Sequence, residues 1–168
     1  GGGDRRLDRG ALGLGDDRED GRGRGHAAVA VALVVQRQPD PDAVVGARHR
    51  VLANAGFTSR AASFCDLTSE MYHSLMDVNL HGAFYTLREA ARHMRERALA
   101  GDPGGSIVVT GSLSIFHGLQ GMEHYAGAKG ALAAMVKGLA VELGQYGVRA
   151  NMLAPGFIMT GMTDNNPQ

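Results

Sequence analysis

The pattern of apolar and polar positions changes character near residue 51. After that point, short apolar runs alternate with long stretches in which apolar side chains recur every three or four residues. Three of the short runs are predicted as strands: 51–53, 107–110 and 148–153. The two long stretches, 68–98 and 122–144, are predicted as helices because their apolar positions fall on one face at helical spacing.

The order of these elements is strand, helix, strand, helix, strand, and it predicts the fold class. Helical crossovers between strands place the strands parallel to one another. We therefore expect an α/β protein with a Rossmann-like parallel sheet and flanking helices, which is incomplete and extends from about residue 51 to 157.

The two predicted helices differ in composition. The first has three candidate N-cap residues, Asp66, Thr68 and Ser69, and its late arginines suit a helix C-terminus. Asn79 lies in its middle among apolar neighbours, where its plainest interpretation is a buried amide with satisfied hydrogen bonds. The second helix is rich in Ala and Gly and apolar nearly all round, so we expect neighbours to cover most of its faces.

Residues 1–50 lack this patterning. Nine of the first 25 residues are glycine, and arginine and aspartate fill most of the rest, which leaves little apolar surface to offset chain entropy. The run at 26–35 fits a strand or a short helix, and 36–42, with two prolines, is predicted as a turn or linker. We expect 1–50 to be an out-of-frame translation, part of a damaged gene, or a disordered N-terminal arm, and 51–168 to be a partial Rossmann-like domain.

Composition and charge exclude several classes of function. The formal net charge is zero, so no overall field attracts nucleic acid or a membrane surface, and the early arginines are interleaved with aspartates and lack aromatic neighbours. No apolar run approaches the roughly 20 residues of a membrane span, and no signal peptide is evident. Cys65 is the single cysteine, which agrees with a reducing compartment. A cytoplasmic protein is the expectation.

Candidate chemistry lies around the second strand and the second helix. Tyr125 and Lys129 are four residues apart on the helix and therefore share a face. An ammonium near a phenol favours the phenolate, so such a pair can act as an acid or base near neutral pH. Ser112 follows the strand at 107–110, at the strand end where open α/β sheets bind ligands.

Each of these residues has an alternative interpretation. A tyrosine and a lysine at helical spacing also occur by chance, and Ser114 is a second hydroxyl on the same loop as Ser112. His117 and His124 flank the site in sequence but have no cysteine or carboxylate partners at ligand spacing, so no metal is predicted. Both are interpreted as loop or pocket-rim residues.

Several motifs together resemble the short-chain dehydrogenase/reductase family. The resemblance covers residues 51–163 and rests on elements in the family's order and spacing. They are Asn54-Ala55-Gly56, Asp77-Val78-Asn79, Ser112, the Tyr-x-x-x-Lys motif from Tyr125 to Lys129, Val148-Arg149-Ala150-Asn151, and Pro155-Gly156-Phe157-Ile158 with Thr160. The resemblance implies an oxidoreductase that moves a hydride between NAD or NADP and a small-molecule carbonyl or alcohol substrate.

The resemblance also implies a role for each catalytic residue. Tyr125 would protonate the carbonyl oxygen or deprotonate the alcohol, and Ser112 would hydrogen-bond the substrate oxygen. Lys129 would favour the phenolate and hold the nicotinamide ribose, and Asn79 would hold a water that links Lys129 to solvent. The implied cofactor-binding residues are Asn54, Ala55, Gly56, Tyr125, Lys129, Pro155, Gly156, Ile158 and Thr160.

The sequence departs from the family on the N-terminal side of the resemblance. It shows no Thr-Gly-x-x-x-Gly-x-Gly phosphate loop and no residue that would select between NAD and NADP, so we expect weak cofactor binding. The glycines at 21, 23 and 25 lack the preceding strand that such a loop needs. The alternative function is therefore an inactive fragment or pseudoenzyme that keeps the family's oligomer surface, as a homodimer or homotetramer.

Overall fold

The sheet has four strands in the computed structural model, which describes residues 36–38 and 48–158. The strands are β1 (Gln36–Gln38), β2 (Arg48–Ala53), β3 (Gly105–Thr110) and β4 (Val148–Leu153), and they lie in that order. β3 is central and pairs in parallel with β2 and β4, so that Ile107 lies opposite Val51 on one side and Ala150 on the other. β1 pairs antiparallel with β2.

One long helical segment connects β2 to β3. It begins with α1 (Ser69–Met76), continues through a π-helical segment (Asp77–Gly82) and ends with α2 (Ala83–Leu99). Thr68 caps it, because its hydroxyl oxygen accepts a 3.1 Å hydrogen bond from the backbone N–H of Met71. A second helix, α3 (Glu123–Leu143), connects β3 to β4.

The core lies between one face of the sheet and the two long helices. Alternate strand residues point into it, as the period of two in a strand requires. From the strands they are Val51, Ala53, Ile107, Val109, Val148 and Ala150, and from the helices Ala83, Leu87, Ala90, Met94, Leu132, Val136 and Leu143. α2 contacts β2 and β3, α3 contacts β4, and the two helices contact each other.

The opposite face of the sheet is less covered. In β3 the residues between the buried positions are half-buried, and in β4 Arg149 and Asn151 are exposed. Leu52 in β2 is also exposed. Among the described residues, therefore, only one face of the sheet is deeply buried.

The structure confirms the predicted α/β parallel sheet and its helices, with small differences at their ends. β2 and β3 begin before the predicted strands, and the π-helical segment was not predicted. The assignment of 36–42 to a turn or linker is wrong for Gln36–Gln38, which form β1. The run at 26–35, most of residues 1–50, and Thr160 lie outside the described residues.

Candidate active site

The loops that leave β2, β3 and β4 meet at the carboxyl ends of these strands. The backbone N–H of Gly111 donates to the carbonyl of Leu153 (2.7 Å), and that of Leu113 donates to the carbonyl of Pro155 (2.8 Å). The Thr110 hydroxyl donates to Oδ1 of Asn54 (2.7 Å). These bonds bring three predicted cofactor or catalytic segments to one edge of the sheet, where parallel α/β sheets bind ligands.

Lys129 and Tyr125 face this edge from the first half of α3. Nζ of Lys129 lies 5.7 Å from the centroid of the Tyr125 ring and donates a 3.0 Å hydrogen bond to the carbonyl oxygen of Thr110. The lysine is only 4% exposed, and this burial lowers its pKa. Tyr125 is half-buried, so its ring keeps access to solvent. The pair therefore joins a phenol to a buried amine.

Asn79 reaches the same place from the π-helical segment. Its side chain is fully buried, and Nδ2 donates to the carbonyl oxygens of Phe57 (3.0 Å) and Leu75 (3.2 Å). Oδ1 has no hydrogen-bond partner among the described residues. Since a buried acceptor without a partner is costly, this oxygen is suited to a bound water.

Gly56 separates Asn79 from Lys129. A Cβ atom on Gly56 would lie 2.6 Å from Oδ1 of Asn79 and 3.4 Å from Nζ of Lys129. The first distance is too short for any real contact, so the absence of a side chain at Gly56 is what admits the amide oxygen. The three residues therefore form one packed unit beside Tyr125.

The two serines after β3 have different surroundings. Ser112 is half-buried, and its Oγ accepts a 3.1 Å hydrogen bond from the backbone N–H of Ser114, which caps a 3-10 turn at Leu113–Ile115. Ser114 is buried, and its Oγ has no partner among the described residues. Ser112 is thus the more open of the two hydroxyls.

The remaining predicted cofactor residues lie on the strand-end loops. Ala55 is half-buried beside Gly56, and Asn54 is exposed with Oδ1 bonded to Thr110. In the loop after β4, Pro155 is half-buried and Gly156 and Ile158 are exposed. A Cβ atom on Gly156 would lie 3.7 Å from Cδ2 of Leu113, so this loop packs closely on the loop after β3.

His124 has a structural role that the sequence did not reveal. It is 4% exposed, so the prediction of a pocket-rim residue is wrong for it, and burial lowers its pKa against the opposing effect of Glu123. Its Nε2 lies 2.8 Å from Oγ of Ser59, and its Nδ1 has no partner in the described part of the chain. His124 therefore ties the loop after β2 to the turn of α3 that carries Tyr125.

The described residues form neither a metal site nor a membrane-spanning helix. Within residues 36–38 and 48–158, no cluster of three or more His, Cys, Asp or Glu side chains is placed to hold a metal ion. The same residues include no helix that is both long and apolar enough to span a bilayer. What the site itself offers is a phenol, a buried amine and a hydroxyl, which suit proton transfer to or from an oxygen atom.

Comparison with known proteins shows similarity over the same part of the chain. The family model described as enoyl-(acyl carrier protein) reductase matches residues 41–168. L-rhamnose 1-dehydrogenase (NAD(P)(+)) of Azotobacter vinelandii is 36% identical over 110 residues, and acetoacetyl-CoA reductase of Synechocystis is 40% identical over 119. These alignments cover 66% and 71% of this chain, but only 41% and 47% of the relatives.

A solved structure gives the same picture. The crystal structure of a gluconate 5-dehydrogenase from Burkholderia cenocepacia, in complex with NADP and tartrate, matches with a TM-score of 0.63 and 32% identity. The match covers 68% of this chain and 43% of that one. The chain therefore spans about half the length of the curated relatives it matches.

Proposed function

The chain belongs to the short-chain dehydrogenase/reductase family, and we propose that it catalyses the reversible conversion of a small carbonyl compound to an alcohol. The observation that carries this proposal is the pairing of Tyr125 with the buried amine of Lys129, one helical turn away. Relatives named as an NAD(P)(+) dehydrogenase and as an acetoacetyl-CoA reductase support it.

The proposed proton chemistry starts at the phenol. Tyr125 donates a proton to the substrate's carbonyl oxygen in reduction and takes it back in oxidation, while the Lys129 ammonium favours the phenolate. Ser112 donates a hydrogen bond to the same substrate oxygen and stabilises the charge that develops there. Asn79 holds a water through its unpartnered Oδ1, and that water connects Lys129 to solvent.

The residues present fit the nicotinamide half of NAD or NADP. Lys129 carries three N–H donors and uses one for Thr110, which leaves donors for ribose hydroxyls. Asn54, Ala55 and Gly56 would let the end of β2 approach the cofactor, and Pro155, Gly156 and Ile158 would line its nicotinamide side. When bound, the cofactor supplies the hydride acceptor or donor, and the protein contributes position and proton transfer.

The test is a pair of tyrosine variants assayed by nicotinamide absorbance with a panel of ketones and alcohols. Tyr125→Phe removes the acid and should lower kcat about 10²- to 10⁴-fold. Tyr146→Phe is the matched control, because Tyr146 lies in the 3-10 turn before β4, at the other end of the sheet. The activity of this variant should be unchanged. Full activity in Tyr125→Phe, or no turnover of any panel member by the unaltered chain, would overturn the proposal.

A second candidate function is that of a non-catalytic subunit which keeps an oligomer surface. Tyr72, Phe84 and Tyr85 are exposed on the long helical segment, and the Arg88 guanidinium lies over the last two rings at 5.9 and 5.3 Å. An exposed aromatic group with an arginine is typical of protein interfaces. We propose that a second copy of the chain covers it, and Phe84→Ser should then shift sedimentation toward the monomer.

Two further proposals follow the sequence-based predictions. The exposed free thiol of Cys65 fits a reducing compartment, and we place the protein in the cytoplasm. The family match begins at residue 41 and β2 begins at Arg48, so we propose a separate origin only for the residues that precede the match and not for all of 1–50. Translating the coding DNA in its other two frames tests the out-of-frame origin, which a glycine-rich loop in a shifted frame would support.

A further inference from the structure

The loops after β3 and β4 expose several large apolar side chains. They are Leu113, Phe116, Leu119, Phe157 and Ile158, and their exposed fractions range from 41% to 72%. Single exposed apolar residues need no explanation, but five of them on two loops that pack on each other form a candidate binding surface. All five lie on two loops that leave the same edge of the sheet, and we refer to them as the apolar loop pair.

Contacts within the structure join the apolar loop pair to the candidate active site. Leu113 directly follows Ser112, its N–H is bonded to the carbonyl of Pro155, and its Cδ2 lies 3.7 Å from the Cβ position of Gly156. Phe157 and Ile158 come next along the chain. The apolar side chains therefore begin at the hydroxyl that we propose to bind the substrate oxygen.

Much of the polar capacity of the loop after β3 is already used within the protein. Gln120 donates to the carbonyl of Ala62 (3.0 Å), and the carboxylate of Glu123 accepts from the backbone N–H of Gly121 (3.1 Å). Ser114 is buried. A substrate with many hydroxyl groups would lose its hydrogen bonds to water here and regain few, which costs free energy.

From this arrangement, and resting on the proposed function, we propose that the substrate carries an apolar group beside its carbonyl or carbinol carbon. The apolar loop pair contacts that group, an alkyl chain or an alicyclic ring, while Ser112 and Tyr125 contact the oxygen. A sugar or polyol is the class that this surface disfavours. Moving one methylene from water to an apolar protein surface is favourable. Each CH₂ added to the substrate should therefore raise kcat/KM about threefold to fourfold.

The experiment compares 2-butanol, 2-hexanol and 2-octanol with L-rhamnose. We expect kcat/KM to rise along the alkanol series and to be lower for the sugar. In Phe116→Ser, the rise in kcat/KM for each added pair of methylenes should be at least threefold smaller. Val141→Ser, which removes an even more exposed apolar side chain far along α3, should leave the series unchanged.

The outcomes separate this inference from the proposed function. Turnover of L-rhamnose with a flat alkanol series would keep the proposed function and overturn the inference. If no alcohol is turned over, the proposed function fails. Saturation-transfer NMR with 2-octanone then tests independently whether the apolar loop pair binds an alkyl group. Transfer to the alkyl protons that weakens in Phe116→Ser, but not in Val141→Ser, supports the apolar site. Absence of transfer overturns it.

Discussion

Nζ of Lys129 lies 3.0 Å from the carbonyl oxygen of Thr110, the last residue of the central strand. This bond joins the middle of the site to the sheet itself, since Thr110 also donates to Asn54 at the end of the neighbouring strand. The lysine is thereby fixed in position while its charge remains largely removed from water. A substitution of Lys129 should therefore separate the free-energy cost of burying its charge from its contribution to catalysis.

Lys129→Met should remove activity without removing stability. The variant loses the group that favours the phenolate, and we expect kcat to fall about 10²- to 10⁴-fold. It also removes the cost of burying a charge, so the urea midpoint at pH 7 should stay the same or rise. Lys137→Met, on the same helix but exposed, should change neither. A large drop in the midpoint for Lys129→Met would contradict this account.

The pH dependence of Lys129 has a definite sign. Its folded pKa is lowered, so the unfolded chain binds more protons between the folded value and the ordinary value of about 10.4. Stability contributed by this group therefore rises as pH increases through that window. Urea titrations of the unaltered protein and of Lys129→Met should diverge there, and parallel curves would show that burial has no such cost.

Asn79→Ala should destabilise the protein by about 1–3 kcal/mol, because it leaves the carbonyl oxygens of Phe57 and Leu75 without their bonds from Nδ2. Chemical unfolding gives the value directly. Asn151→Ala removes the same side chain from an exposed position on β4, and it should lie within about 0.5 kcal/mol of the unaltered protein. Equal effects of the two substitutions would exclude a special role for the buried amide.

Gly56→Ala should disturb the site more than its size suggests. The new methyl group would lie 2.6 Å from Oδ1 of Asn79, and the resulting overpacking should cost about 1–3 kcal/mol. Gly127→Ala is the control, since a Cβ there meets nothing within 4 Å and helix propensity predicts a gain of about 0.5–1 kcal/mol. Thermal unfolding distinguishes them, and a neutral Gly56→Ala would show that the amide moves freely.

The burial of His124, which contacts Ser59, should make stability sensitive to acid. Burial lowers the pKa of His124, so stability is fully present above the ordinary imidazole pKa of about 6.5 and is lost as pH falls through the folded value. His124→Gln should remove that loss. A double-mutant cycle with Ser59→Ala, measured at pH 7.5, should give a coupling of about 0.5–1.5 kcal/mol. Strict additivity would mean that the 2.8 Å contact contributes nothing.

Local patterns predicted what depends on neighbours in sequence. The approximate helix spans, Thr68 as one of three candidate caps, and the shared face of Tyr125 and Lys129 follow from a period of 3.6 residues and from capping chemistry, and the structure shows each of them. The parallel direction of β2, β3 and β4 followed from the helical crossovers between them. The roles of the site residues stay predictions.

Contacts between distant parts of the chain escaped prediction. Ser59 and His124 are 65 residues apart, and Asn79 and Phe57 are 22 apart, so neither pairing leaves a periodic signal. The antiparallel partner of β2 was missed because two prolines beside Gln36–Gln38 suggested a linker. The sequence singled out His124 and Asn79, but their partners Ser59 and Phe57 became evident only in the folded chain.

The π-helical segment sets a limit on how this chain can vary in length. One extra residue is accommodated in the turn that carries Asn79. Removing a single residue there would restore ordinary winding and keep the downstream helix in phase, whereas adding a further residue would rotate everything downstream by about 100°. Leu87 and Met94, both now buried, would then turn away from the sheet. We infer that single-residue insertions between Asp77 and Gly82 are not tolerated, whereas the exposed turn at Gly101 should accept them.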